Sequence, residues 1–394
     1  MFLVLMKRCG ILLAGTVFAG AAIYSGVLAR ADWLRNHPTE ARVAEAMRLD
    51  PGHPYAYTLQ AEYLEQAGRF DDAERAWQQA LRWNPRDGEA WMRAAVLAEG
   101  RGDAGESERR LLEAARVQRT WLPRWALVNF YARHERRDEV WKWARLALER
   151  ASGDVDGLFG LLESAGAEPG FVMRELLPRN RAVMAAFVAR LIQEEAGHRP
   201  AAGHSPAPLE EAAGRLVGMI GDVATGWPGA ESASGDRKCT DGERWVLQGA
   251  VNRLLDDGNG AGAARVWNAL LGKRSDEGPV MFDWKGEWGR EMRFELDGKQ
   301  PESVDLAAVR VYLPAGRGYQ FSAETRMDVA NGVEFALEPR STQRALRATE
   351  DWQQVSMDLP GNGVVTLVLR YRRPLGQVRA AGVVWVRNAE TRRL

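Results

Sequence analysis

Little in this chain suits it to cross-linking, metal binding or the carriage of net charge. Of its 394 residues two are cysteine and five are histidine. Cys9 sits in an apolar N-terminal run and Cys239 in a polar stretch, so the pair implies no disulfide framework even in an oxidising compartment. The histidines at 37, 53, 134, 198 and 204 are scattered without ligand spacing, so neither a metal site nor a cofactor is expected. Basic and acidic residues number 53 each. With no net charge and no basic stripe interleaved with aromatics, nucleic acid is not an expected partner. No G-x-S-x-G, H-E-x-x-H or G-x-x-x-x-G-K-[ST] occurs. Adjacent acids such as Asp71-Asp72, Glu194-Glu195, Glu210-Glu211 and Asp256-Asp257 diverge by about 100° around a helix, which suits solvated faces rather than acid/base pairs. No catalytic residue is therefore expected, although two carboxylates distant in sequence and facing in space would leave a glycan-processing hydrolase as an alternative.

What is present begins with a membrane-length segment. After Lys7 and Arg8, the 21 residues from Cys9 to Ala29 are uncharged and mostly apolar, long enough at about 1.5 Å per residue to cross a hydrocarbon core. Two readings stand: a retained single-pass anchor with the bulk of the chain exported, or a secretory signal cleaved after Val27-Leu28-Ala29. The run exceeds the roughly 7 to 15 residues of an ordinary signal core, which favours the anchor.

A 34-residue period follows. It spaces Tyr57, Trp91 and Trp125, and likewise Ala46, Ala80 and Ala114, Gly68 and Gly102, and Pro51 and Pro85. Such a period, with small residues where paired helices cross, marks a stacked helical-hairpin array, whose product is a surface. Residues 54–87 place Tyr57, Leu64, Gly68, Ala73, Trp77, Ala80 and Pro85 at positions 4, 11, 15, 20, 24, 27 and 32, which resembles the tetratricopeptide pattern. Residues 88–121 repeat it with Trp91, Ala95, Gly102, Ser107, Leu111 and Ala114, and residues 41–51 read as the second helix of a partial repeat. A third unit near Leu122 departs from the pattern by placing Trp141 where alanine is expected. There Asn129-Phe130-Tyr131, Arg133 and Trp141-Lys142-Trp143-Ala144-Arg145 resemble repeat proteins of bacterial exopolysaccharide and O-antigen gene neighbourhoods. The resemblance implies an envelope location, with the inner membrane as the site of the anchor and the periplasm as the place of the exported bulk.

From 151 to 196 the apolar periodicity continues out of register, and 197–208 and 226–242 read as loops. One further hairpin recovers the template, with Leu247, Ala250, Val251, Leu254, Gly258, Ala263, Trp267 and Leu270 in place. Its Gly258-Asn-Gly260-Ala-Gly262-Ala263 matches a dinucleotide fingerprint but follows a helix rather than a strand, so it reads as an interhelical turn.

Near Gly278 the period changes from 3.6 to 2. Segments 292–296, 308–313, 319–327, 333–338, 352–359, 364–371 and 382–386 alternate or run apolar between Gly, Pro and Asp turns, which predicts an antiparallel β-sandwich of jelly-roll type. The fold class is thus multidomain α + β: a transmembrane segment or signal (1–30), tetratricopeptide repeats (31–150), degenerate helical repeats with loops (151–277) and the sandwich (278–394). The same family resemblance extends to Phe282-Asp283-Trp284, residues 313–326 and residues 367–376, and implies a carbohydrate-binding-like module. The opening strand that such modules carry before the Phe-Asp-Trp element is not evident.

Two candidate surfaces follow. By analogy with other arrays, protein partners from the envelope would meet the inner face formed by the first helix of each repeat, at Thr58, Glu62, Met92, Val96, Ala126, Phe130 and Arg133. This set lacks the Lys and Asn cluster that clamps a terminal carboxylate. On the sandwich, contact with polysaccharide would need exposed aromatics. Trp288, in a turn-like Gly-Glu-Trp-Gly, is the first candidate, followed by Trp352, with Tyr319 and Arg326 beside them; Trp284 and Trp385 lie in apolar runs expected in the core. The rival reading is a structural interaction protein whose sandwich only caps the array.

Overall fold

The computed structural model of the chain describes residues 2–151, 153–197, 207–221, 239–271, 278–339, 342–361 and 363–394, and for residues 2–13, 194–197 and 207 the backbone alone. Most of both long loops expected at 197–208 and 226–242 lies outside the described residues, with His198 and His204. The chain forms two compact units, Met1–Ala167 and Glu168–Leu394.

The first unit is a tetratricopeptide-type solenoid. Helix α1 (Phe2–Asn36) is followed by α2 (Glu40–Leu49), α3 (Pro54–Gln66), α4 (Phe70–Trp83), α5 (Gly88–Gly100), α6 (Ala104–Val117), α7 (Trp121–Arg133), α8 (Arg137–Leu148) and α9 (Asp156–Ser164). Side-chain caps start the helices: Thr39 accepts from Arg42 N–H, Asp87 from Ala90 N–H and Asp103 from Glu106 N–H. Gly68 and Gly102 sit between paired helices at φ +72° and +82°, a conformation open chiefly to glycine. Ala46, Ala80 and Ala114 are at most 1% exposed, as expected of small residues that let the helices close on each other. The apolar segment does not end where the array begins. Helix α1 passes unbroken through Ala29, and its last turns bury Ala31 and Leu34 in the hairpin made with α2.

The third hairpin is shortened by a single position. Its turn lies at Glu135 (φ +56°), just before Arg136, where the spacing of Gly68 and Gly102 would repeat, and α7 begins at Trp121, just before the repeat of Gly88 at Leu122. The position expected to hold alanine is therefore Val140, buried at 1%, while Trp141 is half-buried beside it.

In the second unit α10 (Pro169–Phe171) runs into a π-helical turn at Val172–Leu176, followed by α11 (Arg181–Gly197), α12 (Ala207–Ile220), α13 (Asp241–Asp256) and α14 (Gly260–Leu270), which pack on one another. A capping box of Thr240 and Glu243 starts α13, and Arg181 forks onto the same Glu243 at 2.8 and 2.6 Å. The strands are β1 (Val280–Met281), β2 (Met292–Asp297), β3 (Ser303–Leu313), β4 (Gly318–Met327), β5 (Val333–Glu338), β6 (Gln343–Ala345), β7 (Thr349–Pro360), β8 (Gly363–Arg372) and β9 (Ala381–Arg393). They form two antiparallel sheets, ordered β1-β3-β8-β5-β6 and β2-β9-β4-β7. From β2 onward the pairing is that of a jelly roll, the strands of two Greek keys divided between the sheets. A short opening strand does precede Phe282-Asp283-Trp284: β1 pairs with β3 through Val280–Tyr312 and Met281–Val311.

The sandwich is seated on the last helical hairpin. The Trp267 ring meets Trp284 at 4.5 Å and Phe282 at 5.6 Å, edge to face, and Arg310 reaches Asp256 at 2.7 Å. Gly260 lies so close to Tyr312 and Val364 that a β-carbon there would fall 2.4 and 2.8 Å from them. The glycine-rich turn is thus an interhelical turn, with Gly258 at φ +77° and Asn259 capping Gly262 N–H at 2.9 Å.

Candidate functional site

On the inner face of the array, the first two hairpins follow the 34-residue register and the third departs from it. Thr58 and Glu62 are half-buried, Val96 is 61% exposed, and Met92 is almost covered at 9%. Ala126 is half-buried and Arg133 exposed, but Phe130 is 2% exposed, packed against His134 at 4.4 Å and Tyr131 at 5.4 Å. Phe130 therefore cannot line a groove. The missing position turns each side chain of α7 by about 100°, so the counterparts of Met92 and Val96 are Trp125 and Asn129. Both are half-buried; Trp125 stacks on Trp121 at 5.8 Å, and the Asn129 amide donates to Trp125 O. The sequence does hold the signal for this. Arg69-Phe-Asp-Asp-Ala73 recurs as Arg136-Arg-Asp-Glu-Val140, a single place short of two full periods.

This face is acidic. Arg133 forks onto Glu99, from the preceding repeat, at 3.0 and 2.7 Å, and that hydrogen bond holds the Glu99 carboxyl below its ordinary pKa. Arg93 faces Glu65 at 3.6 Å, and Glu65 also accepts the Trp77 indole N–H. Glu62 is pushed the other way: burial raises its pKa, Glu89 and Glu65 add to the rise, and Arg93 opposes it. Four carboxylates thus share the face with two guanidinium groups that are already engaged.

Behind the face, Glu74 and Arg110 are 7% and 5% exposed and meet at 2.7 Å; Arg110 also donates to Ala94 O and Glu106, and Arg101 closes on Glu74 from outside. This network joins α4, α5 and α6.

On the sandwich the aromatic candidates separate differently than expected. Trp288, 3% exposed, plugs the core against Phe321, its N–H held by Asp283 and its carbonyl by Ala389 N–H. Tyr319 is fully buried. Neither can stack on a sugar. Trp385, expected in the core, instead stands half-exposed on the outer face of the β2-β9-β4-β7 sheet, because its neighbours Val384 and Val386 take the inward places. Arg326 lies 4.5 Å from the Trp385 ring and 5.3 Å from that of Trp352, and Arg387 covers Trp352 at 4.0 Å. Trp352 and Arg326, both half-buried, thus join Trp385 in one stack of rings and guanidinium groups. Beside it is a hollow of about 510 Å³ lined by Arg326, Asp328, Thr349, Glu350 and Trp385. Asp328 is committed there to Val383 N–H. Among the described residues no cluster of His, Cys, Asp and Glu could hold a metal ion.

No protein-family profile and no curated protein sequence matches the chain. Among solved structures it is similar to YrrB, described as a tetratricopeptide repeat protein with an unusual peptide-binding site, at 10% identity and a TM-score of 0.26, over 60% of this chain and 93% of that one. It is also similar to a tetratricopeptide repeat protein from Parabacteroides merdae, at 13% identity and a TM-score of 0.33, over 64% and 94%. A third is PilF of Pseudomonas aeruginosa, at 12% identity and a TM-score of 0.23, over 64% and 90%.

Proposed function

We propose that this chain is a non-catalytic, membrane-anchored scaffold of a bacterial envelope, whose helical repeats bind protein partners and whose sandwich closes the C-terminal unit. The observation that carries the scaffold reading is the inner face of the array, on which Val96 is accessible and Glu62, Glu65, Glu89 and Glu99 supply the charge, with the buried Glu74–Arg110 network behind it. Such a face suits a partner segment offering basic and small apolar side chains, not an acidic chain terminus. The anchor reading rests on α1, whose Val17, Phe18, Ile23 and Tyr24 are each at least 64% exposed. Cleavage after Ala29 would cut within a continuous helix. The capping role of the sandwich is supported by its seat on α14 at Gly260 and Trp267.

A photo-crosslinking amino acid at position 96, in cells, tests the partner face. A discrete protein adduct at 96 that is missing when the probe stands at exposed Arg82 is expected; equal, diffuse labelling at both sites removes the reading. Contact with polysaccharide, in exopolysaccharide assembly or export, is a second reading favoured only by the half-exposed Trp385 and Trp352. Glycan binding by the full chain that is lost on Trp385→Ala would establish it.

A further inference from the structure

Among the described residues, the most exposed apolar side chains of the second unit lie at the tip of the loop joining β8 and β9: Leu375 is 100% exposed and Val378 87%. The sequence builds this tip. Gln377 N–H bonds back to Pro374 O at 3.2 Å, and Gly376, at φ +76°, fills the third place of the turn, where only a left-handed residue fits. Leu375 is thereby left at the apex. Both ends of the loop are tied down: Arg373 binds Glu302 through its backbone at 2.8 Å and its side chain at 2.6 Å, while Ala380 N–H donates to the Tyr371 hydroxyl at 2.9 Å and Ala380 O accepts from Gln300. The tip is therefore presented on a built base.

Its charge is of one sign. No acidic residue occurs from Tyr371 to Asn388, a stretch that contains Arg372, Arg373, Arg379 and Arg387. Arg373 and Arg387 are paired, with Glu302 and Glu324. Arg372 and Arg379 are exposed, and among the described residues neither forms an ion pair. An apolar apex between free guanidinium groups matches the layering of an anionic leaflet, with phosphates outside and hydrocarbon within. A protein groove would have to supply both an apolar pocket and flanking acids to match it as well.

We propose that this loop is a bilayer-docking tip that seats Leu375 and Val378 among the acyl chains of an anionic leaflet while Arg372 and Arg379 meet lipid phosphates. The inference does not depend on α1 being a membrane span. To test it, the full chain carrying Cys9→Ser and Cys239→Ser is held in phosphatidylcholine nanodiscs with an environment-sensitive fluorophore at Gln377→Cys. Vesicles bearing nitroxide lipid are then added, with or without phosphatidylglycerol. Quenching by the phosphatidylglycerol vesicles is expected, with partition weakened about fivefold for each charge removed at Arg372 or Arg379 and most of the signal lost in Leu375→Ser/Val378→Ser. These exposed positions should leave the melting temperature unchanged. A fluorophore that stays water-like with anionic vesicles, or that is quenched equally by neutral ones, overturns the proposal. A second fluorophore at Phe18→Cys, read against nitroxide lipid placed in the nanodisc, reports separately on the anchor.

Discussion

Trp288 illustrates how far a local pattern reaches. Its glycine neighbours correctly mark a turn, since Asp283 accepts from both Glu287 and Trp288 N–H. The turn, however, folds over the end of the sandwich and drives the indole between the sheets, a tertiary event with no local trace. Trp385 is the converse: its apolar neighbours suggested core, but alternation along β9 sends Val384 and Val386 inward and the tryptophan out. Trp288→Ala should therefore cost about 3 to 5 kcal/mol in denaturant unfolding, as a core truncation. Trp385→Ala, on a half-open face, should cost clearly less. Tyr319 offers a sharper test, because its buried hydroxyl has no hydrogen-bond partner among the described residues. Tyr319→Phe removes that unsatisfied group without opening a cavity and should raise stability by about 1 kcal/mol. A loss of stability instead would mean that the hydroxyl is satisfied.

At the scale of elements, helix pairing was legible wherever the period held, and failed where a single position was missing. Periodicity fixes which face of α3 and α5 looks inward, but a deletion before α7 rotates the assignment for that helix and exchanges Phe130 for Asn129. The α4–α5–α6 network was not legible at all, since Glu74 and Arg110 lie 36 residues apart and read as ordinary surface charges. Removing one member of a buried pair strands the other, so Arg110→Met should destabilise the array by about 3 to 5 kcal/mol, whereas the double replacement with Glu74→Leu should recover much of that loss. Acid should act on the same network through Glu106. The hydrogen bond from Arg109 is the largest cause holding its pKa down at about 2, helped by Arg110 against the opposing effect of burial. The folded-state pKa lies below the ordinary value of 4.5, so the stabilisation is complete above that value and disappears as pH falls through about 2. The melting-temperature gap between the parent and Glu106→Gln should be constant from neutral pH down to the ordinary carboxylate range and close below it. A gap that does not change with pH would assign the effect of the substitution to packing alone.

At the scale of the molecule, the order of parts was readable from changes of pattern, from an apolar run to the helical-hairpin repeat to strand alternation. The joins between parts were not. Nothing in the strand pattern indicates that the sandwich packs on α14, and the glycine at 260 resembles a phosphate-binding signature until Tyr312 is found against it. The join at Ala29 matters most for function, because α1 is at once the proposed span and the first helix of the array. A helix that continues without a break transmits orientation, so on the anchor reading the repeats are held at a set angle to the bilayer instead of swinging on a tether. Inserting Gly-Gly between Ala29 and Arg30 interrupts that continuity. It leaves Cys9–Ala29 long enough to span, and Ala31 and Leu34 still able to be buried in the hairpin with α2. Retention through high-salt and carbonate washing and the melting temperature should therefore match the parent. The distance distribution between spin labels at exposed Phe18 in α1 and exposed Arg116 in α6, on the two sides of the insertion, should broaden from one narrow peak. If the parent's distribution is already as broad as that of the insertion variant, the array is flexibly tethered, and α1 serves only to retain the chain at the membrane.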